Sequence, residues 1–307
     1  TFPQPTTPAA YGTSDTLAAT ASSGLAVTYT VDASSTVGAC TVAGSTVNYT
    51  GIGSCVIDAN QAGDVNYTAA TQVQRTVTVT KAPTTTTLTV NPPSPAINQP
   101  TTLTATVHYS GSGVAPTGTV SFYDGTTLLG TAPVQPDGAA TLTTTFGGGP
   151  HSITATYNGD SNYLPSTSSP ATPVNVTCDQ IITGTHASLT LTSGTTCLIN
   201  ATITGGISVG RGAILDIENS TVNGSISANH PATVRICGST TGAISVTGAT
   251  GYVRIGDPTN NCAPNTINGS LTAANNTGGG TISGNTITGN WLITGNTPPF
   301  TATGNHH

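Results

Sequence analysis

The sequence predicts an all-β chain in which two β-sandwiches are followed by a short right-handed parallel β-helix. Three observations carry that expectation. Val, Ile and Thr recur in alternating runs bounded by Gly, Pro and Asn, and no window sustains the three-to-four-residue apolar spacing of a helix. A Gly-Asp-x-Asn-Tyr phrase occurs twice, 96 residues apart, about the length of one sandwich. Beyond Cys178, short Gly-centred phrases return at steps of 19, 18, 27 and 20 residues, a period suited to stacked coils.

Composition narrows the functional classes. Of 307 residues only 5% are charged, the net charge is −6, and none of the three segments is positive, so nucleic acid is not an expected partner. No apolar run nears the roughly 20 residues of a membrane helix, so direct membrane insertion is not expected either. Six cysteines fall into three local pairs, Cys40 with Cys55, Cys178 with Cys197 and Cys237 with Cys262. No two of them lie closer than fifteen residues, too far for zinc-type clusters, so three disulfides and an oxidising compartment are expected, with no metal and no cofactor. The opening Thr1-Phe2-Pro3, without methionine, reads as a mature or excised start after export, and His306-His307 as the stub of a tag.

Segments 1–81 and 82–177 each place the repeated phrase, Gly63-Asp64-Val65-Asn66-Tyr67 and Gly159-Asp160-Ser161-Asn162-Tyr163, between their last two strands. Turn chemistry accounts for it, because Asp accepts from backbone N–H groups ahead of it and Gly tolerates positive φ. Tyrosine should then pack back onto the sandwich. A lone carboxylate is too few ligands for calcium. Lys81-Ala82-Pro83 should make a semi-rigid joint.

Residues Gly53 to Tyr67, reading Gly-Ser-Cys-Val-Ile-Asp-Ala-Asn-Gln-Ala-Gly-Asp-Val-Asn-Tyr, resemble bacterial Ig-like repeats of large surface proteins. Ala115-Pro116-Thr117-Gly118-Thr119-Val120-Ser121-Phe122-Tyr123-Asp124-Gly125, with Leu128-Leu129-Gly130 and Tyr157-Asn158-Gly159-Asp160, resembles a second bacterial Ig-like family. The resemblance implies immunoglobulin-like sandwiches serving as spacers, stalks or adhesive modules outside the cell, and it transfers no catalytic residue.

In segment 178–307 each phrase, such as Ile203-Thr204-Gly205 or Ile287-Thr288-Gly289, should be one strand of a coil, and a second strand repeats 19 residues apart as 213–217, 232–236 and 251–255. This segment resembles the Gly/Asn-rich repeats that follow Ig-like modules in related surface proteins. Alternation sends Leu215, Val234 and Val253 inward, and Ile217, Ile236 and Ile255 with them. It sends Asp216, Arg235 and Arg254 outward in one column, with Glu218 nearby. Two readings of these four residues stand side by side: a binding site for an anion or sugar acid, or an exposed ionic ladder worth a few tenths of a kcal/mol per pair. The insertion 257–264 should be tied back by Cys237–Cys262, and Cys178–Cys197 should cap the first coil. Trp291 and Phe300 should plug the last coil or face a partner. Threonine shows no register common to all coils, which argues against an ice- or mineral-binding array.

No Walker loop and no histidine positioned as a base beside a nucleophile provides a catalytic centre, so no catalytic residue is expected. The sequence therefore points to a secreted or cell-surface structural or adhesive protein, with carbohydrate or another surface protein as partner. The alternative is a carbohydrate-binding or polysaccharide-lyase-like helix carried on spacers.

Overall fold

The computed structural model describes residues 1–307. Strands account for all regular structure apart from one 3-10 turn at Pro258–Asn260. The first sandwich faces a four-stranded sheet (Ala9–Ala10, Val73–Thr80, Gly53–Asn60, Thr28–Val31) against a three-stranded one (Ser14–Thr16, Thr46–Tyr49, Cys40–Ala43). Cys40–Cys55 joins the two sheets across a core of Val47, Tyr49, Ile57 and Val77. The second sandwich packs the sheet built on Thr119–Asp124 and Gly149–Tyr157 against Thr84–Asn91, Thr101–Tyr109 and Ala139–Thr144. Leu103, Val120, Phe122, Ile153 and Tyr157 fill its core.

Both Gly-Asp-x-Asn-Tyr phrases form the expected turn. Asp64 Oδ1 accepts from the N–H groups of Asn66 and Tyr67 at 2.8 and 2.9 Å, and Asp160 Oδ1 accepts from Asn162 and Tyr163 at 2.8 Å each. The tyrosines differ. Tyr163 is buried, with Tyr11 of the first sandwich edge-on at 5.5 Å, whereas Tyr67 is half exposed, contrary to expectation. The joint is held by backbone, since Ala82 N–H donates to Asn162 O and Ala82 O accepts from Leu164 N–H, both at 2.9 Å.

Residues 180–303 wind into a parallel β-solenoid. Its longest column is seven strands deep, from Gln180–His186 through Thr195–Ile203, Ile214–Glu218, Thr233–Cys237, Val253–Ile255 and Gly280–Ser283 to Thr301–Thr303. Leu215, Val234 and Val253 stack inward in register, as do Ile217, Ile236, Ile255 and Ile282. Each buried Ile or Leu contributes about 2 kcal/mol of transfer free energy. From the second strand of this column onward the corner that follows takes a left-handed residue on each rung, filled by Asn200, Asn219, Gly238, Gly256, Gly284 and Gly304 at φ of 48–74°. The side chain directly past the corner turns inward at Ser220, Ser239, Asn285 and Asn305, and Asn265, which resumes the coil after the insertion 257–264, joins them in a hydrogen-bonded ladder from coil to coil.

The structure corrects two expectations about the coils. Thr185, Thr202, Thr221, Thr240, Thr266 and Thr286 do stack in register on one face. The threonine lies three residues before the phrase glycine on most rungs but two before Gly242, and this one-residue deletion hides the row in the sequence. At the far end Phe300 packs on the solenoid core, but Trp291 and Leu292 are 40% and 55% exposed and plug nothing.

Candidate functional site

Parallel register builds the charged column as the alternation implied: Cys197, Asp216, Arg235, Arg254 and Thr281 lie side by side on successive strands. The structure does not leave the column exposed. Asp216 and Arg235 are each 0% exposed and Arg254 only 5%, because the second sandwich sits on this face. The outward direction was legible; the cover was not.

The covering segment is Thr145-Phe146-Gly147-Gly148, between strands Ala139–Thr144 and Gly149–Tyr157. Gly148 N–H donates to Asp216 Oδ2 at 2.6 Å, and Arg235 Nη1 donates to the other oxygen at 3.0 Å. Arg235 also pairs with Glu218 through Nη1 and donates from Nη2 to Asn261 O at 3.0 Å. Arg254 Nη1 donates to Thr145 Oγ1 at 2.7 Å and Asn260 O at 3.1 Å, with Asp257 at 3.5 Å and its guanidinium over the Tyr252 ring. Cys237–Cys262 pins the insertion 257–264 against the coil, so that two of its carbonyls are held where they receive the arginines. Cys178–Cys197 lies beneath Gly148, so it fastens the first coil at the junction as well as closing it.

Burial pushes Asp216 above the ordinary carboxylate value, Arg235 pulls it back, and Glu218 pushes it up again. Arg235 is drawn down by burial but held charged by Asp216 and Glu218. Such a cluster holds two surfaces together through charge-assisted hydrogen bonds, and it offers no open face to a polymer. Of Asp216, Glu218, Arg235 and Arg254, only Glu218 borders open space, a cleft of about 280 Å³ shared with Asp124, His151, Asn219 and Asn261.

Gly147, Gly148, Thr145, Asn260, Asn261 and His151 belong to the junction without having stood out in the sequence. A signal existed in Phe146-Gly147-Gly148-Gly149, three successive glycines before a strand. A Cβ on Gly147 would overlap Glu218 and Arg235, and one on Gly148 would overlap both sulfurs of Cys178–Cys197. Gly148→Val should therefore prise the sandwich from the solenoid, costing about 1–3 kcal/mol by overpacking. Small-angle scattering should show a broadened distribution of dimensions; a profile unchanged from the parent would refute the tight fit.

The sandwich that supplies this loop is the part of the chain that comparison with known proteins places. Residues 88–177 match the bacterial Ig-like domain (group 3). The Ig-like domain thus contains the whole covering loop. No curated protein matches the chain. Among solved structures it is similar to fibronectin(III)-like modules of CbhA from Clostridium thermocellum, at 16% identity over 57% of this chain and 93% of that one, with a TM-score of 0.25. It is also similar to a putative membrane-anchored protein from Corynebacterium diphtheriae, at 15% identity, over 58% of this chain and 54% of that one, with a TM-score of 0.26. At those scores neither likeness carries the fold, which rests on the strand pairing described above.

Proposed function

We propose that the chain is a secreted or cell-surface structural protein in which two Ig-like sandwiches form a stalk and the solenoid a rigid adhesive tip, the first sandwich representing a second bacterial Ig-like family. The observation that carries this reading is the buried column. Asp216 and Arg254 grip the covering loop of the Ig-like domain directly, through Gly148 N–H and Thr145 Oγ1, while Arg235, Glu218 and Asp257 hold those two in place from within the solenoid, and this makes stalk and tip one body. Three disulfides fit an oxidising compartment, and no helix is long and apolar enough to cross a membrane.

Recognition is then assigned to the faces left open. One carries the threonine row; another carries Thr190, Ser208, Ser227, Ser245 and Thr272 in register. Hydroxyls repeating at about 4.8 Å suit a partner rich in hydroxyl groups, and this favours carbohydrate over a charged ligand. The lyase-like alternative loses its motivating arginines, since both are covered. A pull-down of the full chain against insoluble polysaccharides tests the assignment. Binding should fall at least tenfold in Thr240→Lys/Thr266→Lys. Binding untouched by the lysines would move recognition off that face, and no binding to any polymer would leave a spacer.

A further inference from the structure

His151 stands where the Ig-like domain grips the solenoid, and both of its ring nitrogens face acceptors. Nδ1 lies 2.6 Å from Asp124 Oδ2 and Nε2 lies 3.1 Å from the carbonyl oxygen of Gly147, in the loop that covers the charged column. A carboxylate and a carbonyl only accept, while a neutral imidazole has a single N–H. Both bonds exist together only in the imidazolium. The ring is mostly buried, it packs against Phe146 at 4.9 Å between centroids, and the Gly147 carbonyl lies next to the Gly148 N–H that donates to Asp216.

We propose that His151 makes the grip of the Ig-like domain on the solenoid pH-dependent, with the loop clamped while His151 is charged and loosened when it loses its proton. On deprotonation the proton goes to solvent, and the remaining N–H stays with Asp124, whose carboxylate is also anchored by Ser152 N–H at 3.0 Å. Gly147 O is then the acceptor left without a donor, and the loop loses the contact that orients Gly148 toward Asp216.

The charges facing His151 set the direction. Asp124 comes from the neighbouring strand; Glu218, with Arg235 and Asp216 behind it, comes from the solenoid; strands Thr127–Pro133 and Thr172–Val176 bring none. Burial alone would lower His151, but Asp124, the Gly147 carbonyl and Glu218 together raise it above its ordinary value. A histidine raised in the folded state stabilises fully below its unfolded value of about 6.5, and that stabilisation is lost as pH rises through the folded value. The grip is therefore an acid-side device.

Hydrogen exchange of segment 143–150 in the full chain, corrected for the intrinsic pH dependence, tests this. Protection should fall about fivefold between roughly pH 5.5 and 8.5, the scale of one hydrogen bond, with a midpoint above the ordinary histidine value. His151→Phe keeps the ring packing and should show low protection with no midpoint. Should that variant fail to fold, Asp124→Asn should move the midpoint to lower pH. Flat protection in the parent, the same transition in His151→Phe, or an unmoved midpoint in Asp124→Asn overturns the proposal.

Discussion

Arg235→Ala should destabilise the protein by about 3–5 kcal/mol, the cost of leaving a buried ion without its partner. Asp216 has no exposure, and without Arg235 its charge retains only the Gly148 N–H, while Glu218 loses its cation as well. At about 2–4 °C per kcal/mol for a chain segment of 150–250 residues, calorimetry should record a fall on the order of 10 °C. Asp216→Leu/Arg235→Met, which removes both charges and keeps volume, should recover most of that loss, because two desolvation penalties vanish together. A single variant within about 1 kcal/mol of the parent would mean that the column is solvated and the junction loose.

Asn285→Ala should cost about 3 kcal/mol, counting two or more buried groups left without partners at about 1–3 kcal/mol each. Asn285 is fully buried and ties three rungs. Its Oδ1 accepts from the N–H and Nδ2 of Asn265 at 3.0 and 2.9 Å, and its Nδ2 donates to Ile255 O at 2.7 Å and to Asn305 Oδ1 at 2.9 Å. Denaturant titration reads the loss, and faster amide exchange at Asn265 would place it in the ladder. Asn268→Ala is the control, since Asn268 is an exposed residue of the same repeat, and should change stability by less than about 0.5 kcal/mol. Equal effects of the two substitutions would refute the ladder as a stabilising device. Stacked asparagine ladders stabilise because each amide both donates and accepts along the stack.

The two asparagines show why the coils were only partly legible. Asn plays three parts here: left-handed corner at Asn200 and Asn219, internal ladder at Asn265 and Asn285, and exposed face at Asn223 and Asn268. Composition cannot separate these parts. What separates them is position relative to the corner, and the corner is known only once the rungs are aligned. The threonine row was missed for the same reason, through one deleted residue before Gly242.

The sequence by itself determined the all-β class, the punctuation of both sandwich turns, the three disulfide pairs, the inward stacking of Leu215, Val234 and Val253, and the outward column of Asp216, Arg235 and Arg254. All of these follow from local rules: alternation at period two, turn chemistry, and the short spacing between paired cysteines. Only the tertiary structure decided that the column is a buried junction. Outward from a strand means solvent only until another surface docks there. Docking depends on Gly147 and Gly148, some seventy residues earlier in the chain, lacking the atoms that would keep the two surfaces apart.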